Sequence, residues 1–122
     1  MDVSEQDNHP PRGKAGSAIS SAVVGIFREY TGRGPTKAKT TIAHDHVAVV
    51  LEDTLLKAER SLVAAGDYDT IRHMRRRFQD TMGDELVAAV ERETGRKVTA
   101  FMSDNQLEPD YAVEFFVLAP AE

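Results

Sequence analysis

The sequence predicts an α+β two-layer sandwich, with four mostly antiparallel strands and the helices packed on one face of the sheet. Three observations carry that reading. A helix-spaced apolar stripe is followed by two short apolar runs suited to a hairpin, and this helix-hairpin order occurs twice. A helical insertion lies between the two copies. The junctions of the copies also match: "VVGIFREYTGR" at Val23 to Arg33 aligns without a gap against "LVAAVERETGR" at Leu86 to Arg96, and "HDHVAVVL" answers "PDYAVEFFVL" downstream. The alignment is a candidate internal αββ duplication, in which case a pseudo-twofold axis should relate the units. Helix-glycine-strand corners also converge on such residues for purely local reasons.

Taken in order, Met1 to Gly16 is rich in charge, proline and glycine around a lone Val3, and is expected to be a disordered tail preceding a single domain over residues 17–120. From Ser17, the residues Ile19, Ala22, Val23, Ile26, Phe27 and Tyr30 recur every three or four positions, the mark of one buried helix face, with Gly32 placed to end it. Lys37 to Ala43 and His46 to Leu51 read as strands around a tight turn at His44-Asp45. The second of these is continuously apolar and should be central or covered on both faces. Asp53 or Thr54 is placed to cap a short helix through Ala65, with Leu55, Leu56, Glu59, Leu62 and Val63 at helical spacing. Asp67 caps a long helix ending at Gly95, and Gly83 inside it suggests a kink or break. Lys97 to Met102 and Tyr111 to Leu118 are the last strands, with "SDNQLEPD" between them as a turn-rich loop.

The totals narrow the function. A chain of 122 residues holds one core. Its net charge of -5 and the lack of a helix-turn-helix argue against specific nucleic-acid binding, so any basic function must be local. No apolar run approaches the roughly 20 residues of a membrane span, and no secretory signal is visible at the N-terminus. The absence of cysteine removes disulfides and thiolate chemistry and fits a cytoplasmic setting. An open four-stranded sheet leaves one face and two edges uncovered, for which homodimerisation is the simplest remedy.

Several stretches invite a chemical reading. "TGRGPTKAKTTI" at Thr31 to Ile42 has the glycines, lysines and threonines of a phosphate loop, but a helix enters it and a strand leaves, so it meets the helix's carbonyl end, which repels anions. It is better read as a helix stop and strand start, leaving Arg33, Lys37 and Lys39 as a small basic group at one sheet edge. "IRHMRRRFQD" places Arg72, Arg75, Arg76 and Arg77 in about two turns near a helix start, where they oppose the macrodipole and need compensation. That compensation is either local, from Asp67, Asp69 and Asp80, or an anionic ligand or partner. His44, Asp45 and His46 resemble a metal cluster but fit a hairpin turn equally well and lack a third ligand, so no metal or other cofactor is expected. Asp104, Glu108 and Asp110 are read as solvated loop residues. No motif for a catalytic residue is present.

The strings "GRGPTKAKTTI", "VVLEDTLLKAERSLVAAG", "MRRRFQD", "ETGRKVTAFMSD" and "AVEFFVL" resemble, in order, those of the MpsC-like domain family, also called YbcI-type, over about Ser17 to Pro120. The family takes its name from a component associated with a sodium-translocating, membrane-potential-generating system whose other parts are membrane proteins. The resemblance therefore implies a soluble accessory or regulatory domain, peripheral to the membrane through a partner, and brings no catalytic residue with it. Two functions follow as expectations. One is a non-enzymatic interaction domain that docks transport-system subunits or an acidic ligand through its arginine-rich helix. The other is a nucleotide- or phosphometabolite-binding sensor or enzyme that uses the same basic residues.

Overall fold

The computed structural model describes residues 12–121. Its elements are α1 (Arg12–Thr31), β1 (Lys37–Ile42), β2 (His46–Glu52), α2 (Lys57–Ala64), α3 (Tyr68–Thr94), β3 (Val98–Gln106) and β4 (Tyr111–Leu118). The strands form one fully antiparallel sheet in the order β1-β2-β4-β3. The α+β architecture and its helix-hairpin, insertion, helix-hairpin order are as the sequence predicts.

One face of the sheet carries Val47, Val49, Leu51, Ala112, Phe116 and Leu118 into a core closed by Ile19, Val23 and Phe27 of α1 and by Met82, Leu86 and Val90 of α3. Alternation along β2 and β4 places these residues inward and their neighbours outward. A smaller cluster of Leu55, Ile71 and Leu107, flanked by Leu62 and Val63, seats α2 beside the first turns of α3.

Four boundaries differ from expectation, each for a local reason. The first helix starts at Arg12, so residues 12–16 belong to the domain; the expected tail over residues 1–11 lies outside the described residues. The small residues that resemble a tail allow close packing: Gly16 is buried against Thr40, and the Ser20 hydroxyl lies 2.8 Å from that of Thr40. The α3 helix runs unbroken through Gly83, which faces the Phe101 ring; a Cβ there would sit 3.5 Å from it, an ordinary contact. The helix α2 begins only at Lys57. The Glu59 carboxylate accepts the Leu56 N–H at 2.7 Å, while Asp53 takes a left-handed backbone (φ 59°) that turns the chain out of β2. Finally, β3 continues through "SDNQ" to Gln106, because the inward-pointing Ser103 and Asn105 meet the polar groups of Arg75, Gln79 and Glu114 in an otherwise mostly apolar pocket.

The two helix-strand corners are built alike. At each, a threonine hydroxyl donates to the carbonyl four residues back, Thr31 to Phe27 at 2.8 Å and Thr94 to Val90 at 2.7 Å. A left-handed glycine follows, Gly32 at φ 80° and Gly95 at φ 70°, as a helix C-terminus favours. The next residue, an arginine, clasps the carbonyl just beyond its own unit's closing strand: Arg33 bonds Asp53 O at 2.9 Å and Arg96 bonds Ala119 O at 2.6 Å. With β2 and β4 adjacent and antiparallel at the centre, the αββ units lie about a pseudo-twofold axis normal to the sheet near the Ala48–Phe115 pair.

Candidate functional site

The seven basic residues marked by the sequence fall into four groups in space. Arg75 is buried, on the stripe shared by Ile71 and Met82. Its guanidinium makes five hydrogen bonds, one per N–H. Two reach the Glu59 carboxylate (Nε to Oε2 at 3.0 Å, Nη2 to Oε1 at 2.7 Å), two reach Thr54 (Oγ1 at 3.0 Å, carbonyl at 2.9 Å), and one reaches Asn105 Oδ1 at 3.4 Å. A guanidinium so occupied has no donor left for an anion or partner. Arg75, expected among the anion- or partner-binding residues, has its donors taken up within the chain instead.

Arg33 is half-buried and also engaged. Besides Asp53 O it donates to Leu55 O at 3.2 Å and to Asp53 Oδ2 at 2.6 Å, fixing the connection from β2 to α2. Burial would raise the Asp53 pKa, but the Arg33 hydrogen bond and the charges of Arg33 and Arg60 outweigh it and hold this carboxyl below its ordinary value. Arg33 does not join the lysines in one basic group. Lys37 and Lys39 alternate outward on β1, on the face of the sheet away from the helices.

Arg72, Arg76 and Arg77 are exposed on α3. No carboxylate among the described residues lies within salt-bridge distance of any of them; Arg72 instead sits over the Tyr68 ring, 5.8 Å from its centroid. Of the acids expected to compensate them, Asp67 caps the helix through Thr70.

Around Arg75 lies a polar interior that the sequence reading does not single out. The Thr54 hydroxyl donates to Asp110 Oδ1 at 2.9 Å, and Asp110 Oδ2 accepts the Leu55 N–H at 2.8 Å, so Asp110 is a structural acceptor rather than a solvated loop residue. Across a small cavity of about 20 Å³ stands Glu114, 2% exposed, with Ser103, Asn105, Gln79 and Arg75 on the cavity wall. Loss of solvation pushes the Glu114 pKa up to about 8, against the opposing pull of the Ser103 hydroxyl and the Arg75 charge. Near neutral pH this side chain is a buried, mostly neutral carboxylic acid. The signals for these residues were present in phase rather than composition. Glu59, Arg75 and Glu114 each fall on an otherwise apolar stripe, where a charge needs a partner.

The histidine turn is structural in its contacts. The His44 carbonyl accepts Arg96 Nη1 at 2.6 Å, and His46 bonds Asp45 at 2.8 Å and stacks on Phe115 at 5.0 Å between ring centroids. Among the described residues no group of three or more His, Asp or Glu side chains is placed to hold a metal ion, and no helix is long and apolar enough to cross a membrane.

The chain matches the model of a known family over nearly its whole length. The family described as "Na+-translocating membrane potential-generating system (MpsC)" matches residues 11–120. Neither the curated proteins nor the solved structures yield a match.

Proposed function

Because the chain belongs to the MpsC family, we propose that it is a non-enzymatic accessory or regulatory domain of a Na+-translocating, membrane-potential-generating system. It works as a homodimer on the cytoplasmic side and docks an acidic surface of the membrane subunits through Arg72, Arg76 and Arg77. The observation that carries the docking surface is the contrast on α3. Arg75 holds the first half of the helix to Glu59 and Thr54, while the three other arginines of the run stay exposed, with no described carboxylate beside them. Guanidinium groups in that state suit planar recognition of carboxylates. On a chain of net charge -5, such a local basic patch also orients approach to an acidic partner.

The test is binding of the purified chain to the system's membrane subunits in detergent, comparing wild type with the triple variant Arg72→Ala/Arg76→Ala/Arg77→Ala. Affinity should fall at least roughly tenfold, with an unchanged thermal midpoint and a salt-sensitive wild-type association. Unchanged affinity removes the surface. A thermal-shift screen of nucleotides and phosphorylated metabolites addresses the sensor or enzyme reading. A true ligand at about 100 times its dissociation constant adds roughly 2.7 kcal/mol, and such a shift abolished by the same triple variant would replace docking with ligand binding.

A further inference from the structure

The sheet face turned away from α1 and α3 is apolar at its centre. Val50, Met102 and Tyr111 are 41%, 51% and 40% exposed there, and Ala48, Val113, Phe115 and Val117 share that side. Such a face on a small domain marks an interaction surface. The strand registers place its residues in rows across the sheet. One row reads Lys39, Val50, Val113, Asp104; the next reads Thr41, Ala48, Phe115, Met102; the third reads Lys37, Glu52, Tyr111, Gln106. The first row is antisymmetric in charge, with a cation on the β1 edge, two valines at the centre and an anion on the β3 edge.

We propose that a second copy of the chain covers this face, related by a twofold axis that runs along the strands above the β2–β4 seam. This rests on the homodimer part of the reading above and specifies its surface and geometry. Rotation about that axis exchanges the sheet edges and keeps each row opposite itself. Lys39 then meets the partner copy's Asp104, Val50 meets Val113, and the small Ala48 meets the large Phe115. In the third row Glu52 meets the Tyr111 hydroxyl, a donor for its carboxylate. Face-to-face sheets pack with their strands aligned within about 30°, a rotation that the flexible lysine stem accommodates. A twofold axis across the strands would instead set β1 against β1 and bring the lysine edges together. Charge complementarity thus selects both the occupant and the axis.

The test is the mass of the full chain by light scattering and sedimentation at micromolar concentration, with folding checked by circular dichroism. Wild type should be dimeric and Val50→Glu monomeric but folded. Lys39→Glu and Asp104→Lys should each raise the dissociation constant roughly tenfold or more, and the double variant should restore dimerisation with the signs exchanged. Within one chain these positions are three strand spacings, about 14 Å, apart, so the rescue reads a contact between copies. A monomeric wild type overturns the dimer itself. A dimer insensitive to Val50→Glu overturns this face while leaving a dimer in place, and failure of the double variant to rescue overturns the axis.

Discussion

In the first αββ unit Val47, Val49 and Leu51 present three aliphatic side chains to the helices, whereas the matching places in the second unit carry Glu114, Phe116 and Leu118. The corners of the two units are nearly superposable in their chemistry, down to the threonine, the left-handed glycine and the arginine that clasps a carbonyl. The difference lies in what fills the interior behind them. In the first unit the inward positions of β1 are Ala38, Thr40 and Ile42, with Thr40 bonded to Ser20 of α1. In the second, Ser103, Asn105 and Glu114 line a small mixed pocket with Arg75, Phe78 and Met82, and Arg75 bonds Thr54 and Glu59 beside it. A backbone scaffold can therefore be repeated while its core changes from apolar to polar, provided each buried polar group finds a partner. The inserted helix α2 supplies one of those partners, Glu59, and so ties the insertion to the second unit, while Arg33 of the first unit holds the chain leading into it.

The largest test of that asymmetry is Arg75→Ala, which leaves Glu59 buried without its cation and should destabilise the fold by about 3–5 kcal/mol in urea unfolding. The double variant Arg75→Met/Glu59→Leu should regain at least half of that loss, because a buried pair replaced by apolar volume no longer needs desolvated charge to be matched. Recovery of nothing would mean that the bonds from Arg75 to Thr54 and Asn105, rather than the ion pair, hold α2 in place.

A smaller effect should appear in the pH dependence. The folded chain gives up the Glu114 proton near pH 8 and the unfolded chain near 4.5, so between those values the folded state holds more protons. The stability contributed by the neutral acid is present below about pH 4.5, declines as pH rises, and is gone above about pH 8, a change of a few kcal/mol at most. Glu114→Gln should remove this slope, leaving stabilities at pH 5 and pH 8 closer together than in wild type. An undiminished slope in the variant would assign it to other groups.

The smallest contrast compares the corners themselves. Arg33→Ala and Arg96→Ala should each cost about 1–2 kcal/mol by releasing two backbone carbonyls. The clasps sit at opposite ends of the antiparallel β2–β4 pair, so the double variant should be additive to within about 0.5 kcal/mol. A larger coupling would show that the two units do not hold their corners independently.

Much of this fold is written in spacing. The stripes of α1 and α3, the glycine stops and the alternation of Tyr111–Leu118 follow directly from periodicity. Legibility fails where polar residues face inward. Ser103 and Asn105 read as loop formers because a strand pattern assumes an apolar interior, and Gly13 and Gly16 read as tail because helix signals favour larger side chains. The candidate site fails for a related reason. Arg72, Arg75, Arg76 and Arg77 are alike in composition, and only position distinguishes them: Arg75 lies four residues after Ile71 and three before Phe78, in phase with the core. Its partner carries the same cue, since Glu59 is in phase with Leu62 and Val63, but that the two are matched shows only once α2 is seen to lie against α3.

The seam between β2 and β4 has a consequence for assembly. It is the line through which the pseudo-twofold of the single chain passes, normal to the sheet. A second twofold running along that seam, as the Lys39–Asp104 row calls for, crosses the first at a right angle and generates a third. The resulting particle would be four αββ units in approximate 222 symmetry, covalently linked in pairs. In such a quartet the two linked units need not stay identical, which leaves one free to keep an aliphatic interior while the other carries a buried acid.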